Sequence, residues 1–254
     1  MNVAIFGAGG PVAAGAIAWL ADRHTLRLTD IASLDTPHEY RRVDVTDPDQ
    51  VAAAAEGMDA LINCTVMRPD PVLAFDVNTR GAYNVMRAAV MQSVPRVVHT
   101  GPAQIFATRG GYQNEWNLTE EAPPRPGVNL YAWSKYLGHE IVRTFARCHP
   151  EISTVVFYYA GFYSDEPEHR GPRFAVHVDD AGQAFRLGVE VPREQLPSNF
   201  ELFHISADVP MAQVSVEKAR RILGYAPRHN FEHVWSRRAR AAYEGSGGNE
   251  ARPG

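Results

Sequence analysis

The feature that most constrains this chain is the alternation of short apolar runs with helix-forming stretches over its first 160 residues. Apolar runs at 2–6, 25–29, 40–43, 59–64 and 95–100 alternate with helical stretches at 11–21, 47–57 and 71–92. Strands separated by helices line up in parallel, and a parallel sheet needs helices over both faces. The fold class expected is α/β, a doubly wound parallel sheet with a small C-terminal region.

The pattern breaks at 101–127, where four glycines and four prolines fall. A long loop inside a domain is usually a lid or a binding segment. Beyond it, Leu130, Trp133, Leu137, Ile141, Phe145 and Cys148 recur every three or four residues, an apolar stripe on one helix. An apolar strand follows at 152–159. The last third predicts a strand at 174–178, a helix capped by Asp179 or Asp180 and running to 189, and a strand at 200–205. A helix at 215–223 should start at Ser215 and stop at Gly224. These divisions predict a core over 1–160 and an interleaved substrate-binding region over 161–244. The glycine- and serine-rich tail, 245–254, is expected to be disordered.

Composition removes several classes. The chain is 45% hydrophobic and 21% charged, as globular proteins are. A formal net charge of -4 gives no electrostatic reason to bind nucleic acid or an anionic membrane. Cys64 and Cys148 cannot build a disulfide framework or a thiolate metal site, and both are expected as buried small hydrophobes; no metal is predicted. No run is long enough to span a bilayer, and residues 1–6 read as a strand rather than a signal peptide. The expectation is a soluble cytoplasmic protein.

The turn after the first strand carries the first chemical signal. Gly7-Ala8-Gly9-Gly10-Pro11-Val12-Ala13 leads straight into a helix. A helix N-terminus offers unpaired N–H groups and partial positive charge, and glycine lets a diphosphate approach the backbone. Gly7 and Gly10 are spaced for this, Pro11 and Val12 open the helix, and Ala13 is small enough for close packing. Such a turn alone is compatible with no ligand. Its context is stronger, because Asp30 ends the next strand where a ribose-binding carboxylate is expected. An acid there accepts from ribose hydroxyls and repels a 2′-phosphate. With Arg41 the next cation in sequence, the reading is NAD over NADP. Asp44 and Val45, after the third strand, are candidates to flank the adenine; a solvated loop aspartate is the plain alternative for Asp44.

The second signal is Tyr131-Ala-Trp-Ser-Lys135, a phenol and an ammonium one helical turn apart. A cation beside a phenol favours the phenolate, which can take a proton from an alcohol as hydride leaves its carbon. Lys135 can also bond the nicotinamide ribose.

With these residues the chain resembles an extended short-chain dehydrogenase/reductase of the NAD-dependent epimerase/dehydratase family. The likeness spans most of 1–225 and rests on Gly7-x-x-Gly10-x-x-Ala13, the runs at 28–31, 42–47 and 59–62, and Asn78-x-x-Gly81-x-x-Asn84. It continues through Tyr131-x-x-x-Lys135, the run from Arg173 to Asp180, and 219–227. The resemblance implies a Rossmann core, bound NAD, and dimerisation through the helices at 71–92 and 129–148. Its size is similar to that of uronate dehydrogenases, so Arg170 and Arg173 are candidates to bind a substrate carboxylate; a solvated surface role is the alternative for each. His99 and His177 are candidate proton relays or plain structural histidines. Tyr112, Asn114 and Trp116 are candidates to cover the pocket. Two departures stand out. Pro102 falls where the family carries its catalytic serine, leaving Thr100 as the nearest hydroxyl, and the arginine common near the end of strand six is missing.

The resemblance and the residues together imply an oxidoreductase or epimerase acting on a sugar-like hydroxyl, with Tyr131 as acid/base, Lys135 beside it and Thr100 orienting the substrate. Pro102 motivates the alternative, an NAD-binding protein of the same fold with impaired catalysis and a regulatory or assembly role.

Overall fold

The apolar runs pair as their alternation requires. The computed structural model describes residues 1–103, 105, 115–163, 172–210, 212–235, 240–241 and 244–245. Its strands are β1 (Asn2–Phe6), β2 (Thr25–Asp30), β3 (Glu39–Arg42), β4 (Ala60–Asn63), β5 (Arg96–Pro102), β6 (Ser153–Tyr159), β7 (Gly161–Tyr163), β8 (Ala175–His177) and β9 (Phe200–Ile205). Seven make one parallel sheet in the order β3-β2-β1-β4-β5-β6-β9, and β7 pairs with β8 in a small second sheet. The order reverses between β1 and β4. In such sheets a crevice opens there, beyond the C-terminal ends of the strands.

The helices are α1 (Pro11–Leu20), α2 (Pro48–Ala55), α3 (Pro71–Phe75), α4 (Gly81–Met91), α5 (Leu130–Cys148), α6 (Val178–Glu190) and α7 (Glu217–Leu223). Proline opens α1, α2 and α3, where its missing N–H has no intrahelical partner. Asp47, Asp70 and Asn129 cap α2, α3 and α5 through their side chains. Gly188 of α6 lies against Val155 and Phe157, while His139 of α5 lies against Tyr158. Alternate residues of a strand point to opposite faces, so α5 and α6 cover opposite sides of the sheet. On the α6 side, α1 crosses α6 backbone to backbone. A Cβ on Gly15 would stand 2.4 Å from the Val178 carbonyl oxygen, and one on Gly182 would stand 2.3 Å from the Trp19 ring.

Three expectations are corrected. The stretch 71–92 is not one regular helix, because a π-helical turn, Asp76–Arg80, separates α3 from α4. Its wider turn brings Asn78 inward, where its side chain bonds Met67 N–H, Met67 C=O and Ser134 Oγ. The first half of the apolar stripe of α5 turns outward. Ala132, Ser134, Lys135, Gly138, His139, Val142 and Ala146 are buried, whereas Leu130, Trp133 and Leu137 are exposed. Small residues let α5 approach α4, and a Cβ on Gly138 would strike the Asn78 carbonyl at 2.2 Å. Cys64 is buried as expected, but Cys148, in the last turn of α5, is exposed. Finally, His177 and not Asp179 or Asp180 caps α6, its Nδ1 accepting from Asp179 N–H. Asp180 is fully buried and accepts the backbone N–H groups of Arg228 and His229 instead. Gly224 ends α7 in the left-handed conformation, φ 73°, as expected. Residues 246–254 of the expected tail lie outside the described residues. No helix among the described residues is long and apolar enough to cross a membrane.

Candidate active site

At the sheet's switch point a cavity of about 490 Å3 is lined by Gly10, Pro11 and Val12 from the first turn, Thr100, Gly101 and Pro102 from β5, and Tyr131 and Lys135 from α5. The glycine turn and the Tyr–Lys pair, about 120 residues apart, therefore share one space. The opposite wall is aromatic, with Tyr159, Phe162 and Tyr163.

The turn has the form a diphosphate cradle needs. Gly7 adopts φ 79°, open to glycine at low cost, and a Cβ there would stand 2.8 Å from Thr65 N. The α1 N-terminus has neither a side-chain cap nor an acidic residue in its first turn. Asp30 joins this turn directly. Its Oδ2 accepts Gly9 N–H at 2.9 Å and its Oδ1 accepts Ala32 N–H at 3.0 Å, so the carboxylate stands at the rim of the cradle. Arg42 is the register partner of Asp30 across β2–β3 and donates from Nε to Ile31 C=O at 3.1 Å. A cation thus stands nearer the Asp30 end of the crevice than the linear spacing to Arg41 suggests. Asp44 is turned to its own loop, its Oδ1 accepting both N–H and hydroxyl of Thr46. The Val45 carbonyl is held by Asn84 Nδ2 at 2.9 Å, and Gly81 makes room for the Val45 side chain. The Asn78, Gly81 and Asn84 pattern therefore fixes the loops after β3 and β4 from behind.

Lys135 is buried, with Nζ donating to Thr65 C=O at 2.7 Å and to Thr100 C=O at 3.3 Å. Burial pushes its pKa down to about 8; neighbouring Cys64 opposes this and the Arg68 cation adds to it. Cys64 is buried beside the lysine, and burial pushes its thiol up to about 12. Thr100 also lines the cavity, but its hydroxyl donates to Asn63 C=O at 2.8 Å. Its proton is committed inside the sheet and its oxygen keeps only acceptor capacity. Pro102 pairs with Tyr159 at the end of β5 and offers no hydroxyl.

The sequence reading missed Arg68. Its guanidinium lies 5.3 Å from the Tyr131 ring centroid and lines the same cavity. Arg68 and Lys135 are the charged residues among the described lining, so the cavity is cationic. The available signal was its place in the loop that leaves the fourth strand, at the edge where a parallel sheet binds ligands. Arg173 lies 5.1 Å from the Trp116 ring and not among the residues lining the cavity. Arg170, Tyr112 and Asn114 lie outside the described residues.

Residues 3–193 match the sequence model of the NAD dependent epimerase/dehydratase family. Among characterised proteins, an NAD-dependent glucose-6-phosphate dehydrogenase of Haloferax volcanii is 26% identical over 256 residues, covering 90% of this chain and 93% of that protein. An L-arabinose 1-dehydrogenase (NAD(P)(+)) of the same organism is 25% identical over 272 residues, covering 92% and 98%. Among solved structures, uronate dehydrogenase from Agrobacterium tumefaciens superposes with a TM-score of 0.77 at 22% identity, covering 100% of this chain and 90% of that one.

Proposed function

Because this chain belongs to the NAD-dependent epimerase/dehydratase family, we propose that it binds NAD and acts as an oxidoreductase or epimerase on a hydroxyl of a sugar or sugar acid. The observation that carries the reading is the single cavity shared by the glycine turn, Tyr131 and Lys135. Gly7 and Gly10 admit the diphosphate, Asp30 receives ribose hydroxyls, and the loop held at Val45 borders the adenine end. When bound, the nicotinamide accepts hydride from the substrate carbon and can return it.

The protein's own groups handle the proton. Tyr131 as phenolate takes the proton from the reacting hydroxyl, and Lys135, fixed by two strand-end carbonyls, supplies the positive charge that favours phenolate. Arg68 over the ring adds a second cation. Thr100 accepts a hydrogen bond from the substrate. The relatives' names direct the first trials to glucose 6-phosphate, L-arabinose and glucuronic acid. Residues 161–244, with Arg173 and Arg170, form the proposed substrate region, where Arg173 stands beside Trp116.

We further propose a homodimer through α4 and α5. The outward α5 stripe, Leu130, Trp133 and Leu137, joins exposed Tyr83 and Met91 of α4 and Val72 and Leu73 of α3. Two free thiols accord with a reducing compartment such as the cytoplasm.

A second reading rests on the committed Thr100 hydroxyl and on Pro102. It is an NAD-binding protein with feeble turnover and a regulatory or assembly role. Tyr131→Phe decides the mechanism. It should lower turnover by roughly 10²–10⁴-fold while NAD still binds; unchanged turnover overturns the acid/base role. Tight NAD binding by wild type with no reduced nicotinamide formed from any sugar tested would favour the second reading.

A further inference from the structure

Beneath Lys135, on the α5 side of the sheet, lies a row of imidazoles with bare nitrogens. His99 of β5 is 2% exposed, and neither of its ring nitrogens has a partner among the described residues. His139 is 4% exposed, one turn along α5 from Lys135 on the same buried face, and its Nδ1 also lacks a partner there. His99 directly precedes Thr100, whose carbonyl accepts Lys135 Nζ, and pairs with Val156 on β6, beside the Tyr158 that His139 packs against. The charges of both Lys135 and His139 act on the His99 ring. The His139 ring sits 5.2 Å from Tyr158 and 5.5 Å from Phe200, and its Nε2 lies 4.0 Å from Glu140 Oε1. Glu140 and His139 border a second cleft of about 560 Å3, formed with Glu120, Tyr136, Phe200 and Lys218.

Three bare nitrogens in a protein interior are the ordinary mark of internal water, because buried polar groups seldom go unpaired. Burial also keeps both rings neutral, holding His99 well below its usual range and His139 at about 3. A neutral imidazole has one bare nitrogen and one N–H, so it can accept a proton on one side while releasing one on the other.

We propose that His99 and His139, joined by internal water, carry the proton released at Tyr131 and Lys135 to the Glu140 cleft. The proposal rests on the dehydrogenase reading. When the substrate C–H bond breaks, its electron pair leaves as hydride to the nicotinamide dinucleotide, the oxidant. The O–H bond breaks as C=O forms, and its proton passes to the Tyr131 phenolate. To restore that phenolate, Lys135 first releases a proton from the N–H not spent on Thr65 and Thr100, and the lone pair so freed takes the proton from Tyr131. The released proton enters the water at His99, and one proton emerges beyond His139, with no net change in the row.

The test follows one turnover of the full-length protein, with NAD and whichever of glucose 6-phosphate, L-arabinose or glucuronic acid it oxidises. Reduced nicotinamide and a pH indicator are recorded together. In the wild type, proton release keeps pace with hydride transfer. In His99→Leu and in His139→Gln, proton release and kcat should fall about tenfold, with KM unchanged, a larger solvent isotope effect, and rescue by imidazole added to the buffer. A merely structural histidine would not be rescued. Unchanged proton release and isotope effect in both variants overturn the proposal while leaving the dehydrogenase reading intact. Absence of reduced nicotinamide with wild type defeats both. A crystal structure of the wild type gives a readout that needs no turnover and no variant: water on the His99 and His139 nitrogens supports the path, and a dry, closed shell around them ends it.

Discussion

At Lys135 the fold confines an ammonium between two backbone carbonyls, and its pKa of about 8 lies below the 10.5 of an exposed lysine. The sign of the pH effect follows. Between about 8 and 10.5 the unfolded chain still binds this proton and the native chain has lost it, so stability rises with pH across that window. Lys135→Met lacks this rise. In urea unfolding, the wild type should gain on the variant by roughly 3 kcal/mol between neutral pH and pH 10.5; parallel profiles would show that the lysine is not confined. Asp30 offers a second prediction at this scale. It stands at the cradle, with Arg42 as its register partner. Asp30→Ala removes the group that repels a 2′-phosphate and leaves that cation, so the preference for NAD over NADP should fall about tenfold or more, measured as a ratio of kcat/KM. The sequence made Asp30, Tyr131 and Lys135 legible because each occupies a fixed offset from a strand end or along a helix turn. Arg68 and Arg42 were not legible, because their places depend on a loop path and on strand register, which no linear spacing records.

Among the elements, α5 teaches most about how far an apolar pattern can be read. Its stripe marked the helix from Leu130 to Cys148, and Leu130, Trp133 and Leu137 of that stripe are left outward while Lys135 turns in. The core side of α5 is built of Ala132, Ser134, Gly138 and Ala146 because α4 approaches closely and Lys135 and His139 must reach inward. Hydrophobicity marks surface hidden from water, and a partner subunit hides surface as well as a core does. Leu137→Glu should therefore convert the proposed dimer to monomer in sedimentation velocity at micromolar concentration, with unfolding free energy per monomer changed by less than about 1 kcal/mol; a wild type already monomeric would remove the proposed interface. The π-turn at Asp76–Arg80 was equally hidden. Gly81 stands just after the break, where it makes room for Val45, and the turn itself follows the distant demand of Met67 and Ser134 on Asn78.

Taken whole, the molecule keeps three imidazoles, His99, His139 and His204, in its interior with their proton affinity lowered by burial, His139 to about 3 and His204 to about 4. An exposed histidine titrates near 6.5, so below that pH the unfolded chain binds protons that the native chain refuses, and stability falls as pH falls toward 4. The unfolding free energy from urea titrations should drop steeply from pH 6.5 to pH 4, by about 2–3 kcal/mol for each of His139 and His204, and His139→Gln should flatten the slope. The doubly wound parallel sheet, by contrast, was readable at this scale from the alternation of strand and helix. One crossing sets what such a molecule can do when a ligand arrives. At Gly15 and Gly182 two helices touch with no side chain between them, one rising from the phosphate turn and the other from the C-terminal third. Packed backbone has no rotamers to exchange and no slack to slide on. The halves on either side of the crevice are thus riveted at their backs, and access to the cavity is governed by the short segments at its mouth, not by a jaw-like swing of one half against the other.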